Sequence, residues 1–294
     1  MVEIEKCPIC GETHSTEYLR TKDYFLTGEQ FTLKQCAGCG FVFTSPRPDD
    51  VKLSHYYQSN NYLSHHSRGF SPLRLVYQFL RKRNIRNKFR LVSQFSSIGS
   101  LLDIGCGTGE LLDYFQNQGW KATGIEPDAT ARNFASDRWG LTVYGEDQIP
   151  TIENESYDVI TMWHVLEHVS NLNERISDIH RILKNKGNFV AAVPNFLSWD
   201  AQHYGSYWAA WDLPRHLFHF SQKNIIQLTE KHGFKYIKSI PMVWDSYYIS
   251  LMSEQYKGNR LPYFNAIKNG MKSNSKGRKN GNGYSSMIYI FEKS

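Results

Sequence analysis

The sequence predicts an α/β protein, a seven-stranded, doubly wound and mostly parallel sheet with a small metal-bound module ahead of it. Two observations predict it. From residue 99 onward, short apolar runs alternate with amphipathic helical patterns, and strands separated by helices of about 10 to 15 residues pair in parallel. Ahead of that pattern, four cysteines stand as two Cys-x-x-Cys pairs. Strands are expected near 100–105, 121–126, 141–145, 157–163, 187–193, 234–241 and 285–292, and helices near 109–118, 128–138, 172–184 and 221–232. Sheets of this kind bind ligands at the carboxyl ends of their strands.

The first element, residues 1–48, is built around Cys7-Pro-Ile-Cys10 and Cys36-Ala-Gly-Cys39. Each pair makes a tight turn that aims two thiolates at one point. Together Cys7, Cys10, Cys36 and Cys39 supply the four sulfur ligands of a zinc ribbon. Such a site is closed, so its role is to fold a segment too small to fold alone. The runs "EYLRT" and "QFTLKQC" alternate like strands of a small sheet.

Residues 49–98 form a connector with a basic helix from near Ser71 and Pro72 to residue 91. Leu73, Val76, Tyr77, Leu80 and Phe89 make its apolar side, with lysines and arginines opposite. That basic side is either simply solvated or a surface for a polyanionic substrate or an anionic membrane. His55, Tyr56, Tyr57, Tyr62, His65 and His66 either line a substrate pocket or wrap the junction.

The third element spans 99–294, with 194–220 as a substrate lid inserted after the fifth strand. Its first strand runs into "DIGCGTG", where Gly105, Gly107 and Gly109 lead into a helix. Glycines there let the backbone pass close under a ligand and present free N–H groups to it. The spacing is not the GxGxxG of a dinucleotide turn. At the end of the next strand, Glu126 places one carboxylate where it can take both hydroxyls of a ribose. The isolated Cys106 reads as a small filler rather than a nucleophile.

After the fourth strand, "WHVLEHV" sets His164, Glu167 and His168 at i, i+3 and i+4, a spacing that makes an acid–base or metal site if the chain has turned helical. The lid "PNFLSWDAQHYGSYWAAWDLPRHLFHFS" is rich in aromatics with a few polar handles, the composition of a small-molecule site. In it Arg215 can pair with a phosphate or carboxylate, and His216 or His219 can act as base. Ser221 reads as the cap of the following helix and Gly233 as its stop.

The motifs "LLDIGCGTGELL", "GIEPD", "YDVI" and "VLEHV", in that order, resemble the class I S-adenosylmethionine-dependent methyltransferases, whose sheet is Rossmann-like. The resemblance implies that Asp103 organises the glycine turn and the methionine end of the cofactor, that Gly105, Cys106, Gly107 and Gly109 lie against it, and that Glu126 binds its ribose. It further implies that Asp147 sits near the adenine and that Trp163 and His164 edge the reaction site. "CPIC", "CxxCGFVFTSPRP" and "WDLPRHLFHFS" are similar to the zinc-ribbon-headed methyltransferases of sugar, cell-surface or secondary-metabolite biosynthesis. The "WHVLEHV" segment is also similar to metal-dependent quinone-biosynthesis O-methyltransferases and small-RNA terminal O-methyltransferases, whose site reads Glu-x-x-Glu-His. Here His164 stands at the first position.

The expected activity is methyl transfer to oxygen or carbon of a small, sugar-like, quinone-like or lipid- or nucleotide-linked acceptor. His168, His216, His164, Glu167 and Arg215 are its candidate catalytic residues. A metal-free histidine base is favoured over a divalent cation at Glu167 and His168, since a histidine in place of the first glutamate leaves a less anionic site. The alternatives are an RNA methyltransferase and a catalytically silent cofactor-binding module. A net charge of +6, from 34 basic and 28 acidic residues, is weak for RNA binding. No run is long and apolar enough to span a bilayer, which leaves peripheral membrane contact open. Paired cysteines without a leader pattern suggest a cytoplasmic setting.

Overall fold

The computed structural model describes residues 1–57 and 72–294, the side chains of 72–80 excepted. Tyr62, His65 and His66, and the apolar side read from Leu73, Val76, Tyr77 and Leu80, lie outside the described residues.

The chain opens with β1 (Ser15–Lys22), β2 (Gln30–Cys36) and β3 (Val42–Thr44), then α1 (Asp50–Leu53) and α2 (Pro72–Val92). There follow β4 (Ser100–Ile104), α3 (Glu110–Asn117), β5 (Lys121–Ile125), α4 (Ala129–Trp139), β6 (Thr142–Tyr144), β7 (Tyr157–Trp163), α5 (Leu172–Ile182) and β8 (Leu183–Pro194). The last stretch holds α6 (Trp199–Tyr204), β9 (Phe218–His219), α7 (Gln222–Lys231), β10 (Phe234–Pro241), α8 (Asp245–Tyr256), α9 (Pro262–Lys279) and β11 (Ser286–Lys293).

The seven-stranded sheet has the order β10-β11-β8-β7-β4-β5-β6. Its β4, β5, β6, β7 and β8 run parallel, while β11 is antiparallel to both β8 and β10. Successive side chains of a strand point to opposite faces, and the core obeys this. Leu101, Val159 and Val190 meet Leu111, Leu112 and Phe115 of α3 on one face. Leu102, Ile160 and Phe189 meet Ile176 and Ile179 of α5 and Ile225 and Leu228 of α7 on the other. The apolar spacing of α5 and α7 therefore does what an amphipathic stripe does, burying one side of each helix against the sheet. Ser221 caps α7 by accepting from the Asn224 N–H.

A second sheet, β1-β2-β3-β9, joins the N-terminal strands to a strand of the lid. Val42 pairs with His219 and Phe43 with Phe218. Lid residues Phe196, Tyr204, Trp208, Trp211 and Leu213 pack with Phe31, Leu33 and Val42 in one cluster. The aromatic content of the lid thus serves a core as well as any cleft. Among the described residues, no helix is long and apolar enough to cross a membrane.

Candidate active site

The glycine turn follows β4 directly. Gly105 has φ +77°, and a Cβ added there would fall 2.3 Å from Val165 Cγ2, so only glycine lets the turn lie against the 164–168 segment. Gly109, at φ +78° and in the left-handed region, starts α3, and its space is closed by Leu141 and Ala135. Beside Gly107 the space is open among the described residues. Cys106 Sγ stands where a Cβ on Gly124 would go, which is a packing role, and burial pushes its thiol up.

Two carboxylates frame this turn. Asp103 and Thr161 are register partners on adjacent parallel strands, and the Thr161 hydroxyl donates to Asp103 Oδ1 at 2.5 Å. Burial raises the Asp103 carboxyl to about 6 against that hydrogen bond and the Lys88 charge. Glu126 accepts the Gly107 N–H at 2.8 Å through one oxygen and the Asp128 N–H at 3.0 Å through the other. Its carboxylate is fixed in orientation with lone pairs still free for two hydroxyls. Asp147 lies exposed on the turn after β6.

Trp163 ends β7, with its indole Nε1 buried and without a partner among the described residues. The Lys88 ammonium from α2 lies 4.3 Å from the centre of that ring. The next residue, His164, has φ +58°, which turns the chain out of the strand. Its Nε2 is 3.0 Å from Asp245 Oδ2, and its Nδ1 is 3.4 Å from Glu167 Oε1. Burial opposes its charge, but these two carboxylates hold the imidazole up at about 10.

A short 3₁₀ turn, Leu166–His168, then brings Glu167 and His168 inward. His216 joins them from the lid, and the ligand atoms of Glu167, His168 and His216 lie within 4.8 Å of one another. Three hydrogen bonds hold this junction of lid and turn. Leu217 N–H donates to the Glu167 carbonyl at 2.8 Å. Thr44 Oγ1 donates to the His216 carbonyl at 2.9 Å, and His168 Nδ1 lies 3.0 Å from the Arg215 carbonyl oxygen.

The tautomers follow from the partners. A carbonyl oxygen only accepts, so His168 carries its proton on Nδ1 toward Arg215 O, and His216 carries its own on Nδ1 toward Ala210 O at 2.9 Å. The Nε2 atoms of both rings are thereby left for other partners, and His216 Nε2 lies 3.9 Å from Asp212 Oδ2. The Glu167 carboxylate is 1% exposed and accepts no hydrogen bond among the described residues. Burial opposes its charge, yet the contact from His164 and the neighbouring imidazoles hold its carboxyl below the ordinary range. Burial, then repulsion from His216, lowers the His168 imidazole to about 4. Two imidazoles and one buried carboxylate converge, a donor set suited to a divalent ion of the manganese or zinc type more than to magnesium.

The other candidates are engaged elsewhere. Arg215 is 3% exposed, and the anions it pairs with are the protein's own, Asp212 at 2.7 Å and Asp23 at 3.1 Å, while Tyr56 O takes a third N–H. His219 lies 3.4 Å from Thr44 Oγ1 and edge-on to Trp211. Of the connector residues, Tyr57 reaches the site, its hydroxyl 3.0 Å from His168 Nδ1. No local sequence pattern marks Asp245 or Lys88. Asp245 lies 81 positions from the histidine it holds.

In the N-terminal segment, the Sγ atoms of Cys7 and Cys39 are 3.6 Å apart and those of Cys10 and Cys36 3.4 Å. All four sulfurs lie within 4.8 Å of one another. Tetrahedral zinc with Zn–S bonds of about 2.3 Å sets sulfurs roughly 3.8 Å apart, so the four residues are compatible with a zinc ion.

A family model described as a methyltransferase domain matches residues 74–239, more than half of the chain. The chain is 31% identical over 132 residues to the ubiquinone biosynthesis O-methyltransferase of Rhodopseudomonas palustris (strain TIE-1), covering 42% of this chain and 51% of that protein. It is 27% identical over 190 residues to the protein of the same name from Nitrobacter winogradskyi, covering 56% and 71%. The chain thus spans about half the length of the first of these relatives. Among solved structures it is similar to geranyl diphosphate C-methyltransferase from Streptomyces coelicolor A3(2), solved with Mg²⁺, geranyl diphosphate and S-adenosyl-L-homocysteine (TM-score 0.55, 12% identity, 80% of this chain and 88% of that one). It is also similar to a SAM dependent methyltransferase from Archaeoglobus fulgidus (TM-score 0.50, 18% identity, 72% and 94%). At these identities the structures show the fold.

Proposed function

The chain belongs to the methyltransferase-domain family, and on that footing we propose that it methylates an oxygen of a small quinol- or catechol-like acceptor at a divalent cation held by Glu167, His168 and His216. It is an S-adenosylmethionine-dependent methyltransferase. The observation that carries the finer reading is the buried Glu167 carboxylate with ligand atoms of His168 and His216 within 4.8 Å, in the segment whose Val165 lies against Gly105 of the glycine turn. A buried carboxylate without hydrogen bonds is costly unless a positive charge meets it. The name of the Rhodopseudomonas and Nitrobacter relatives supports a quinol-like acceptor.

In the reaction, the acceptor oxygen attacks the methyl carbon, the carbon–sulfur bond breaks toward the sulfonium, and the hydroxyl proton is lost to water. A cation at this site supplies Lewis acidity that lowers the acceptor hydroxyl's pKa. The chain's own residues do the rest. Gly105 and Glu126 fix the cofactor, Thr161 orients Asp103, and Tyr57 and the Arg215 carbonyl fix the His168 ring. Trp163 presents a ring face suited to a cation, the place Lys88 takes in this structure and a sulfonium can take in turn.

One observation favours a metal-free variant. His164, held between Asp245 and Glu167, already offsets part of the Glu167 charge. In that variant His216 Nε2 takes the hydroxyl proton directly. The experiment is transfer of a labelled methyl group to a catechol, its monomethyl ether and a sugar diol, before and after treatment with EDTA. We expect label on the catechol oxygen, activity lost on chelation and restored by manganese. Full activity in EDTA would select the metal-free variant, and label on none of the three would remove the quinol-like acceptor.

A further inference from the structure

Helix α9 is built inside out. Its inward side carries Ala266, Gly270, Ser273 and Gly277, all buried, facing α8, α6 and Tyr284, where a Cβ on Gly270 would fall 2.6 Å from the Tyr247 ring and one on Gly277 would fall 2.8 Å from Tyr284. Asn265 and Asn269 tie the same side to Glu254. The large apolar residues are all on the other side. Leu261, Tyr263, Phe264, Ile267 and Met271 are 58–67% exposed, and 261, 264, 267 and 271 fall at helical spacing on one stripe. Scattered exposed leucines are ordinary, but a contiguous stripe of this size marks a contact surface.

The charge around the stripe has one sign. Residues 244–280 hold seven lysines and arginines and two acids. Both acids are turned inward, Asp245 to His164 and Glu254 to Tyr204 and Asn269. Lys257, Arg260, Lys268, Lys276 and Arg278 are exposed. We propose that this face of α9 docks the enzyme on an anionic lipid bilayer, the apolar stripe entering the interface and the flanking lysines and arginines meeting lipid phosphates. A second copy of the chain is the poorer occupant, because a two-fold contact through this face sets positive charge against positive charge. Basic residues around an apolar helix face are the complement of an anionic interface.

One helix joins this face to the candidate site. Helix α8, packed on the inner side of α9, carries Asp245 to His164 at one end and stacks Tyr256 on Tyr24 at 4.8 Å at the other. The docking face itself needs no acceptor and stands or falls apart from the reading of the acceptor above.

The test is co-sedimentation of the full chain with vesicles of equimolar phosphatidylcholine and phosphatidylglycerol, against phosphatidylcholine alone. The expected result is binding to the anionic vesicles only, weakened by salt, and weakened about tenfold or more both by Phe264→Ser with Ile267→Ser and by Lys268→Glu with Lys276→Glu. Both double variants should bind cofactor as the wild type does, since all four side chains are exposed. Equal partition to both vesicle types, or variants that bind like the wild type, would overturn the proposal. So would a dimer that the Phe264→Ser, Ile267→Ser variant dissolves, which would assign the face to a second copy.

Discussion

Glu167→Gln should lower kcat by about 10²- to 10⁴-fold while the affinity for S-adenosylmethionine changes by less than about threefold. The substitution keeps the volume of a fully buried side chain but removes the carboxylate that is grouped with His168 and His216. It also removes the partner of His164 Nδ1, leaving that imidazole to Asp245 alone. A purely structural role would show as a lower unfolding temperature with activity per folded molecule preserved. The check is therefore single-turnover kinetics beside thermal unfolding and cofactor titration. A variant within about threefold of wild-type kcat would take Glu167 out of the reaction.

Glu126→Ala should weaken binding of S-adenosylmethionine by roughly 1.5 to 3 kcal/mol, a loss of about 10- to 150-fold. The carboxylate is held at both oxygens by the N–H groups of Gly107 and Asp128, so a ribose placed there would meet a carboxylate already oriented, with little ordering required on binding. Its removal takes away both the acceptor for the hydroxyls and the brace on the glycine turn. Titration calorimetry with S-adenosylhomocysteine separates the two effects. Loss of affinity with an unchanged fold places the ribose on Glu126, and equal affinity in wild type and variant removes it from the site.

The parts of the fold that rest on local rules were legible in the sequence. The glycine turn, the carboxylate after β5, the seven strands and the two cysteine pairs each follow from spacing within about ten residues, and each is where that spacing implies. Helices α8 and α9 were not read, because α9 reverses the pattern on which helix reading depends. Its buried side is Ala266, Gly270, Ser273 and Gly277, and its large apolar residues face outward. The strand β9 is only Phe218–His219, too short for any alternation to show, and it exists because β3 offers it an edge.

The candidate site divides along the same line. Glu167 and His168 were visible as a pair because a single turn joins them. That His216 completes the set, and His219 and Arg215 do not, depends on the lid's hydrogen bonds to β3 and to the 166–168 turn. Tyr57 lies 111 positions from His168, and Asp245 lies 81 from His164. Such contacts belong to the packing of distant segments and leave no trace in local periodicity.

The most direct test of the account is an anomalous-scattering map from crystals grown with manganese and S-adenosylhomocysteine. The expected result is a manganese peak bonded to Glu167, His168 and His216, beside the cofactor's sulfur, and a separate zinc peak among Cys7, Cys10, Cys36 and Cys39. A map with the zinc peak present, the cofactor bound and no manganese between Glu167, His168 and His216 would contradict it.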